Sequence, residues 1–129
     1  MKSPTLILHK AQIERIQANT TYQLYDAHPE NAVFPYVTMG EITARDWSDK
    51  FEDGMEIYST LHIWSQYKGR KEAEEMMDTI LQALTSSSLD LAPNFKASFD
   101  RLDLYELIVD MDGITHHGIL RMKYLIEQL

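Results

Sequence analysis

The chain of 129 residues has the usual length of one domain and predicts a single domain over residues 1–129 with a two-layer core. Its apolar fraction of 44% and charged fraction of 25% exclude general disorder. The formal charge of -8 disfavours specific binding to nucleic acid, and the lack of cysteine excludes disulfides and thiolate sites.

The N-terminal third of the chain is predicted to hold a helix, a short strand and a turn. Helix-forming residues dominate residues 5–19, and residues 22–26 favour a short strand. Turn-forming residues at 27–31 then reverse the chain. The first apolar run, at residues 6–8, is too short for a signal peptide or a membrane span, so we expect a cytosolic product with no membrane partner.

The next segment is predicted to form two strands and a long loop between them. β-branched and aromatic residues favour a strand at 36–43, with Gly40 as a bulge or a point of close packing. Residues 55–66 alternate between apolar and polar, which predicts a second strand. The loop between the strands carries two aromatic residues among charges, which is typical of a contact loop. We expect it to contact a partner protein through Asp46, Trp47, Asp49, Lys50, Phe51, Glu52 and Asp53.

Residues 70–84 have the clearest helical pattern in the chain. Their apolar residues follow the helical repeat and form one continuous stripe, which consists of Ala73, Met76, Met77, Ile80, Leu81 and Leu84. Acidic residues occupy the first turns, where the helix dipole favours negative charge. The stripe predicts a helix that packs on the sheet.

Residues 99–110 and 114–127 are predicted to pair as a long hairpin. The dipeptide Asp112-Gly113 between them suits a two-residue turn in which both residues have positive φ. That turn places three pairs on a mostly apolar face: Val109 with His116, Tyr105 with Leu120, and Asp103 with Met122. The order of helix, strands, helix and hairpin indicates an α+β fold, with one antiparallel sheet and helices on one face.

The other face of this hairpin mixes apolar and charged residues. It is too apolar for a solvated surface and too charged for a core, which is the character of a subunit interface. Leu102 is expected on this face as well. We expect a neighbouring subunit to be bound by Leu104, Glu106, Ile108, His117, Ile119, Arg121 and Lys123.

The residues that catalysis or metal binding would use have simpler explanations. His116 and His117 are adjacent on a strand and point to opposite faces, so they cannot act together, and we place His116 at the core edge and His117 at the surface. The acidic loop at 46–53 lacks the ligand spacing of a calcium loop. Residues 68–71 match no phosphate-binding fingerprint. We therefore predict no catalytic residue, no cofactor and no metal.

Several short motifs follow one another in an order that is similar to a known family. They are FPYVTMGE at 34–41, Asp46-Trp47, Asp53-Gly54, LHIWS at 61–65, GRKEA at 69–73 and HGILR at 117–121. In this order they resemble the tail-completion, or tail-terminator, family of long-tailed bacteriophages and prophages. The resemblance spans residues 34–84 and, less closely, 99–127.

The resemblance implies a structural protein without enzymatic activity. It implies an α+β subunit that forms a hexameric ring on the finished tail tube, stops its growth and presents a surface to the head connector. The implied partners are copies of the same chain, the tail-tube protein and a head-completion or connector protein, while DNA passes through the ring without specific binding. The implied location is the head–tail junction of the virion, after assembly in the host cytoplasm.

Three other functions stay open on sequence alone. The chain is compatible with another neck or tail-tube subunit, which would form long tubes instead of discrete rings. A small hydrolase would use His62 or His116. An acidic adaptor would bind a basic host protein and stay monomeric in solution.

Overall fold

The protein is built on one five-stranded sheet with two helices on one of its faces. The computed structural model describes all residues, 1–129, and confirms the predicted α+β class. The elements are α1 (Thr5–Asn19), β1 (Gln23–Tyr25), β2 (Tyr36–Asp46), β3 (Gly54–Ser65), α2 (Lys71–Thr85), β4 (Phe95–Val109) and β5 (His116–Gln128). The strand order across the sheet is β1-β2-β3-β5-β4. Neither helix combines the length and apolarity needed to cross a membrane.

The sheet is mostly antiparallel, as predicted, with one parallel pair at an edge. β1 pairs parallel to β2, with Leu24 beside Val37, whereas the other three strand pairs are antiparallel. A parallel pair needs a connection that returns the chain to the starting end of the sheet. Residues 26–35, which include the predicted turn, provide that return.

The core lies between the helices and the inner face of the sheet. The inner positions of β3 and β5 alternate with outer ones, as the sequence pattern predicts for β3. The predicted stripe of α2 is confirmed, except that Leu81 is half-buried and Ala83 is buried in addition. The fully buried side chains include Leu8, Ile16, Ile57, Leu61, Ile63, Met76, Met77, Ile80, Leu84, Leu120, Met122, Tyr124 and Ile126.

One polar network crosses this core. Gln12 of α1 donates from Nε2 to the hydroxyl of Tyr124 at 3.0 Å and accepts at Oε1 from the hydroxyl of Ser59 at 3.0 Å. Gln12 and Tyr124 are both fully buried, and burial raises the pKa of Tyr124. Because buried polar groups without partners are costly, this network fixes α1 against β3 and β5.

Arg15 joins the two helices at the end of α2. Its guanidinium donates to the carbonyl oxygens of Ala83 at 2.9 Å, Ser87 at 3.1 Å and Ser88 at 3.2 Å. The last carbonyls of a helix lack partners within the helix, so a cation there satisfies them and suits the helix dipole. Arg15 therefore caps the C-terminal end of α2 and links it to α1.

The turn of the β4–β5 hairpin differs from the predicted type. Gly113 has φ of +72°, but Asp112 does not have positive φ. The carboxylate of Asp112 instead accepts bonds from the backbone N–H groups of Ile114 and Thr115, each at 2.8 Å. The chain closes with a bond from Asp110 N to Thr115 O at 2.8 Å, so four residues form the loop. An aspartate that bonds its own backbone stabilises this longer loop.

The predicted hairpin register is confirmed near the turn and wrong beyond a bulge. Val109 lies opposite His116 and Tyr105 opposite Leu120, as predicted. The register then shifts between Leu102 and Leu104, so that Leu102 lies opposite Met122 in place of Asp103. Leu102 therefore lies on the helix side of the sheet, and its predicted place on the other face is wrong.

Candidate assembly interface

The outer face of the sheet, meaning the face opposite the helices, carries the residues predicted to bind a neighbouring subunit. Both helices pack on the inner face, where Gln12 bonds Ser59 and Met77 lies over Gly118. No helix covers the outer face. The register places on it Leu104 opposite Arg121, Glu106 opposite Ile119, Ile108 opposite His117, and Lys123 opposite Arg101. The structure brings all seven predicted residues to one surface, and their contact with a subunit stays a prediction.

One end of the outer face carries cations that lie over aromatic rings. The Nζ of Lys123 is 5.8 Å from the ring centre of Phe99 and 5.9 Å from that of Tyr58. The guanidinium carbon of Arg101 is 5.5 Å from the ring centre of Phe99. These contacts are attractive because the face of an aromatic ring is negative. Neither cation has a carboxylate within ion-pair distance, so both remain able to pair with an acidic partner.

A shallow polar depression lies beside these cations. It has a volume of about 390 Å³, and Arg121 donates from Nε to Oδ2 of Asp103 at 2.6 Å within it. Its lining is formed by Glu41, Thr43, Arg45, Tyr58, Thr60, Asp103 and Arg121. Small-molecule sites are mostly apolar and enclosed, and this depression is neither. It suits the side chains of a protein partner.

The other end of the outer face contains a pair of histidines in direct contact. Nδ1 of His62 is 2.7 Å from Nε2 of His117, and Nε2 of His62 is 2.9 Å from Oε1 of Glu41. Nδ1 of His117 is 3.8 Å from a carboxylate oxygen of Asp110. Only one of the two facing ring nitrogens carries a proton in this contact, because two N–H groups repel each other at that distance. The pair therefore accepts a second positive charge poorly.

The protonation of this pair is biased further by its surroundings. Burial, followed by the neighbouring His62, lowers the pKa of His117, while Asp110, Glu106 and Glu41 act in the opposite direction. A backbone hydrogen bond, followed by the bond to His62, lowers the pKa of Glu41. The Glu41 carboxylate is thus bonded to His62, and the charged form of the half-buried His117 is disfavoured.

Trp64 closes this cluster from one side. Its ring stacks on that of His117, with centres 3.9 Å apart and an angle of 9° between the planes. Its Nε1 donates to Oγ1 of Thr38 at 3.1 Å, and His28 lies 5.3 Å from it on the far side. The side chain of His117 is only 14% exposed, so the prediction of a surface position for His117 is wrong.

Gly40 provides the space for the His62 ring. It lies at the register shift of β2 between Met39 and Ile42, where the sequence predicts a bulge or close packing. A Cβ at residue 40 would come within 2.6 Å of Cδ2 of His62 and 2.8 Å of the backbone oxygen of Thr60. The predicted role of Gly40 is confirmed.

The sequence did not predict the histidine cluster. The sequence shows only that His62 and Trp64 occupy polar positions of one strand and that His117 occupies a polar position of another. Their contact depends on β5 lying next to β3, and the strand order places it there although β4 precedes β5 in the chain. A non-sequential strand order cannot be derived from alternation alone.

The predicted docking loop, residues 46–53, is an ordered turn held by two aspartates. Asp46 accepts bonds at Oδ1 from the N–H and hydroxyl of Ser48, and Asp49 accepts from the N–H groups of Phe51 and Glu52. These bonds lower the pKa values of Asp46 and Asp49. Aspartates that bond backbone groups two or three residues later stabilise such turns.

The two aromatic residues of this loop have different environments. Phe51 is 91% exposed, whereas Trp47 is 43% exposed and lies against Gly54 at the start of β3. The backbone N–H of Trp47 also donates to the oxygen of Gly54 at 2.8 Å. Trp47 therefore supports the loop, and Phe51 is presented to solvent.

The docking loop and the hairpin turn lie at opposite ends of the sheet. β3 begins beside Glu127, next to the loop, and ends with Ser65 beside His116, next to the hairpin turn. Gln128 donates to the oxygen of Asp53, which joins the C-terminal end of β5 to the loop. A partner bound at the loop and one bound at the hairpin turn would contact different ends of the molecule.

The two histidines considered for hydrolysis, His62 and His116, lie on opposite faces of the sheet. His62 lies on the outer face and His116, opposite Ser65, on the inner face, so the two cannot serve one reaction. No group of three or more histidine, aspartate or glutamate side chains is placed to hold a metal ion.

Comparisons with known proteins identify the family of this chain. The family model described as "Tail completion protein gp17" matches residues 7–127. The tail completion protein gp17 of Bacillus phage SPP1 is 27% identical over 125 residues, which covers 93% of this chain and 92% of that protein.

Two solved structures share the fold. A chain from the virion of a native gene transfer agent particle has a TM-score of 0.87 at 17% identity, with 98% of this chain and 99% of that chain covered. The structure of the bacteriophage SPP1 gp17 protein has a TM-score of 0.66 at 26% identity, with 95% and 91% covered. Because the family model spans nearly the whole chain, this chain belongs to the tail completion protein gp17 family, whose members are structural proteins of phage tails.

Proposed function

We propose that this chain completes a phage tail as a closed ring of identical copies, a hexamer, seated on the end of the tail tube. The ring stops growth of the tube and presents its other side to a head-completion or connector protein. Membership of the tail completion family supports the location, and the uncovered outer face of the sheet supports the assembly into a ring.

The observation that carries this proposal is the amount of apolar surface at the end of the β4–β5 hairpin. Ile108 is 40% exposed, Val109 52%, Met111 106% and Ile114 59%. Ile108 lies on the outer face, Val109 on the inner face, and Met111 and Ile114 in the loop between the two strands. Exposed apolar side chains gathered at one end of a soluble protein favour a contact with another protein.

The opposite ends of the sheet provide the two further surfaces that a junction protein needs. The docking loop at 46–53 lies at one end and the hairpin turn at the other. We assign the loop to docking on the tube or the connector. The formal charge of -8 makes the ring as a whole repel DNA, which favours passage through it over binding.

Sedimentation and negative-stain imaging of the purified chain test the assembly. We expect discrete rings of uniform size. Long tubes would indicate a tail-tube subunit, and a monomer at all concentrations would indicate an adaptor and overturn the proposal.

Deletion of the gene in a phage or prophage background tests the role in the virion. We expect tails of abnormal length without heads, together with heads without tails. Joined virions of normal length would overturn the proposed role in termination and joining. Expression of the intact chain from a plasmid is the control that should restore joined particles.

A further inference from the structure

The inner face of β4 bears apolar residues that the helices do not cover. β4 is the edge strand, and Leu102 and Tyr105 lie on its inner face opposite Met122 and Leu120. Leu102 is 41% exposed and Tyr105 43% exposed, although the residues opposite them are fully buried. We call this surface the inner shelf, formed by Leu102, Tyr105, Leu107 and Val109. Leu102, Tyr105 and Val109 are exposed here, whereas Leu107 is half-buried against the core.

The rim of the inner shelf is acidic. Glu74 and Asp78 of α2 are exposed carboxylates one helical turn apart. Burial raises the pKa of Tyr105, and the nearby charges of Glu74 and Asp78 raise it further. Neither has a lysine or arginine within ion-pair distance, and Asp78 accepts only from the side-chain amide of Gln82. Two unpaired negative charges therefore border an uncovered apolar surface.

The outer face of the same strand has the opposite character. Leu104 and Ile108 provide its apolar part, and Ile108 is 40% exposed. Arg101 and Lys123 lie at its border over the ring of Phe99, without carboxylate partners. In a chain with a net charge of -8, two neighbouring unpaired cations are a local exception to the acidic surface.

We propose that, within the ring proposed above, the outer face of the β4–β5 hairpin of one copy docks on the inner shelf of the next copy. Arg101 and Lys123 of the first copy then face Glu74 and Asp78 of the second, and the apolar parts of the two surfaces meet between them. The two surfaces lie on opposite faces of one edge strand, so the contact is heterologous and repeats from copy to copy. A heterologous contact is the kind that generates closed rings.

The charges make a second copy of this chain the occupant of both surfaces. Each surface has an exposed apolar part. The unpaired cations Arg101 and Lys123 lie at one end of the outer face, Glu106 is exposed nearer the hairpin turn, and the carboxylates Glu74 and Asp78 border the inner shelf. Opposite potentials across an interface direct association, and like charges brought together oppose it. A symmetric dimer through the inner shelf would bring Glu74 and Asp78 of both copies together.

Charge reversal on each surface tests this contact, which rests on the proposed ring. We expect R101E/K123E and E74K/D78K each to weaken self-association by at least about tenfold, because each brings two like-charged borders together. The control K10E/K68E changes the net charge by the same amount as R101E/K123E and leaves both surfaces intact, so it should assemble as the wild type does. Circular dichroism and thermal melting should show that each variant is folded.

Mixing the two reversed chains is the decisive measurement. R101E/K123E has two acidic borders and E74K/D78K two basic ones, so an equimolar mixture should form rings in which they alternate, seen by native mass spectrometry. If the wild type forms rings and the reversed chains assemble equally well alone, the docking arrangement is wrong and the ring stands. If folded reversed chains fail to assemble when mixed, the assignment of these two surfaces to each other is wrong. A monomeric wild type would overturn the ring together with the contact.

Discussion

The two faces of the sheet differ in the side chains that they carry and in whether the helices cover them. On the inner face, β3 and β5 bury aliphatic side chains and one fully bonded polar network under the helices. On the outer face, the same two strands present histidines, a tryptophan, cations and half-buried isoleucine. If the outer face binds neighbouring copies as proposed, stability and assembly depend on alternate residues of the same strands. Substitutions at two adjacent residues of one strand should therefore have different effects, on stability at the inner face and on assembly at the outer face.

Adjacent residues of β5 provide the largest expected difference between the faces. Leu120 is fully buried on the inner face, and Ile119 lies half-buried beside His62 on the outer face. Leu120→Ala should lower the free energy of unfolding by about 2–5 kcal/mol, because it removes buried methyl groups and leaves a cavity. Ile119→Ala should lower it by about 1 kcal/mol or less. Urea unfolding of both variants measures the difference.

Assembly should show the reverse order for this pair. At a temperature where both variants are folded, Ile119→Ala should sediment as smaller species than Leu120→Ala. Equal loss of stability in both variants would mean that the outer face is covered within the folded monomer. That result would contradict the division of tasks between the faces.

The polar network of the inner face should be the next most sensitive feature. Tyr124→Phe removes the hydroxyl that accepts from Nε2 of Gln12 and leaves a buried N–H without a partner. We expect a loss of about 1–3 kcal/mol in the free energy of unfolding. Tyr58→Phe on the outer face is the matched control and should leave stability nearly unchanged. A neutral Tyr124→Phe would mean that Gln12 finds another partner in the core.

Acidification should act mainly through the outer face. Burial, followed by His62, lowers the pKa of His117, while Asp110, Glu106 and Glu41 raise it. The unfolded chain therefore takes up this proton at a higher pH than the folded chain does. The contribution of His117 to stability should be fully present above about pH 6.5. It should be lost as the pH falls through the lowered pKa of His117 in the folded protein, by at most about 1.4 kcal/mol per pH unit.

His117→Gln provides the comparison for the effect of pH. The variant has no ring to titrate, so its loss of stability between about pH 7.5 and about pH 5.5 should be smaller than that of the wild type. Thermal melting at the two pH values measures this, and nuclear magnetic resonance of the His117 ring gives its titration directly. An identical loss in both proteins would mean that other groups govern the effect.

The sequence predicted those parts of the fold that depend on local patterns. The alternation of β3 and the apolar stripe of α2 are confirmed because burial on one face imposes the same period on sequence and structure. The hairpin register near residues 109–116 is confirmed because a short loop leaves little freedom in pairing. The sequence pattern does not contain the bulge beyond Tyr105 or the hydrogen bonds of Asp112, so neither was predicted.

The candidate interface was predicted less completely, for reasons of topology. The residues of the hairpin face lie together because they belong to two strands that follow one another in the chain. The contact between His62 and His117 joins residues 55 positions apart and depends on the place of β5 between β3 and β4. The inner shelf depends on how far the helices extend across the sheet, which apolar spacing does not specify. Long-range neighbours of this kind require the assembled sheet.

The smallest expected effect on folding is in the docking loop, where substitutions of its two aromatic residues should differ in their cost to stability. Phe51 is 91% exposed, so Phe51→Ser should change the free energy of unfolding by less than about 0.5 kcal/mol. Trp47→Ser should cost more, because the ring of Trp47 packs against Gly54. If the loop docks on the tube or connector, Phe51→Ser rings should still form and yet join fewer tails to heads in a deletion background, since exposed aromatics often anchor contacts. Normal joining by Phe51→Ser would remove the loop tip from the proposed docking surface.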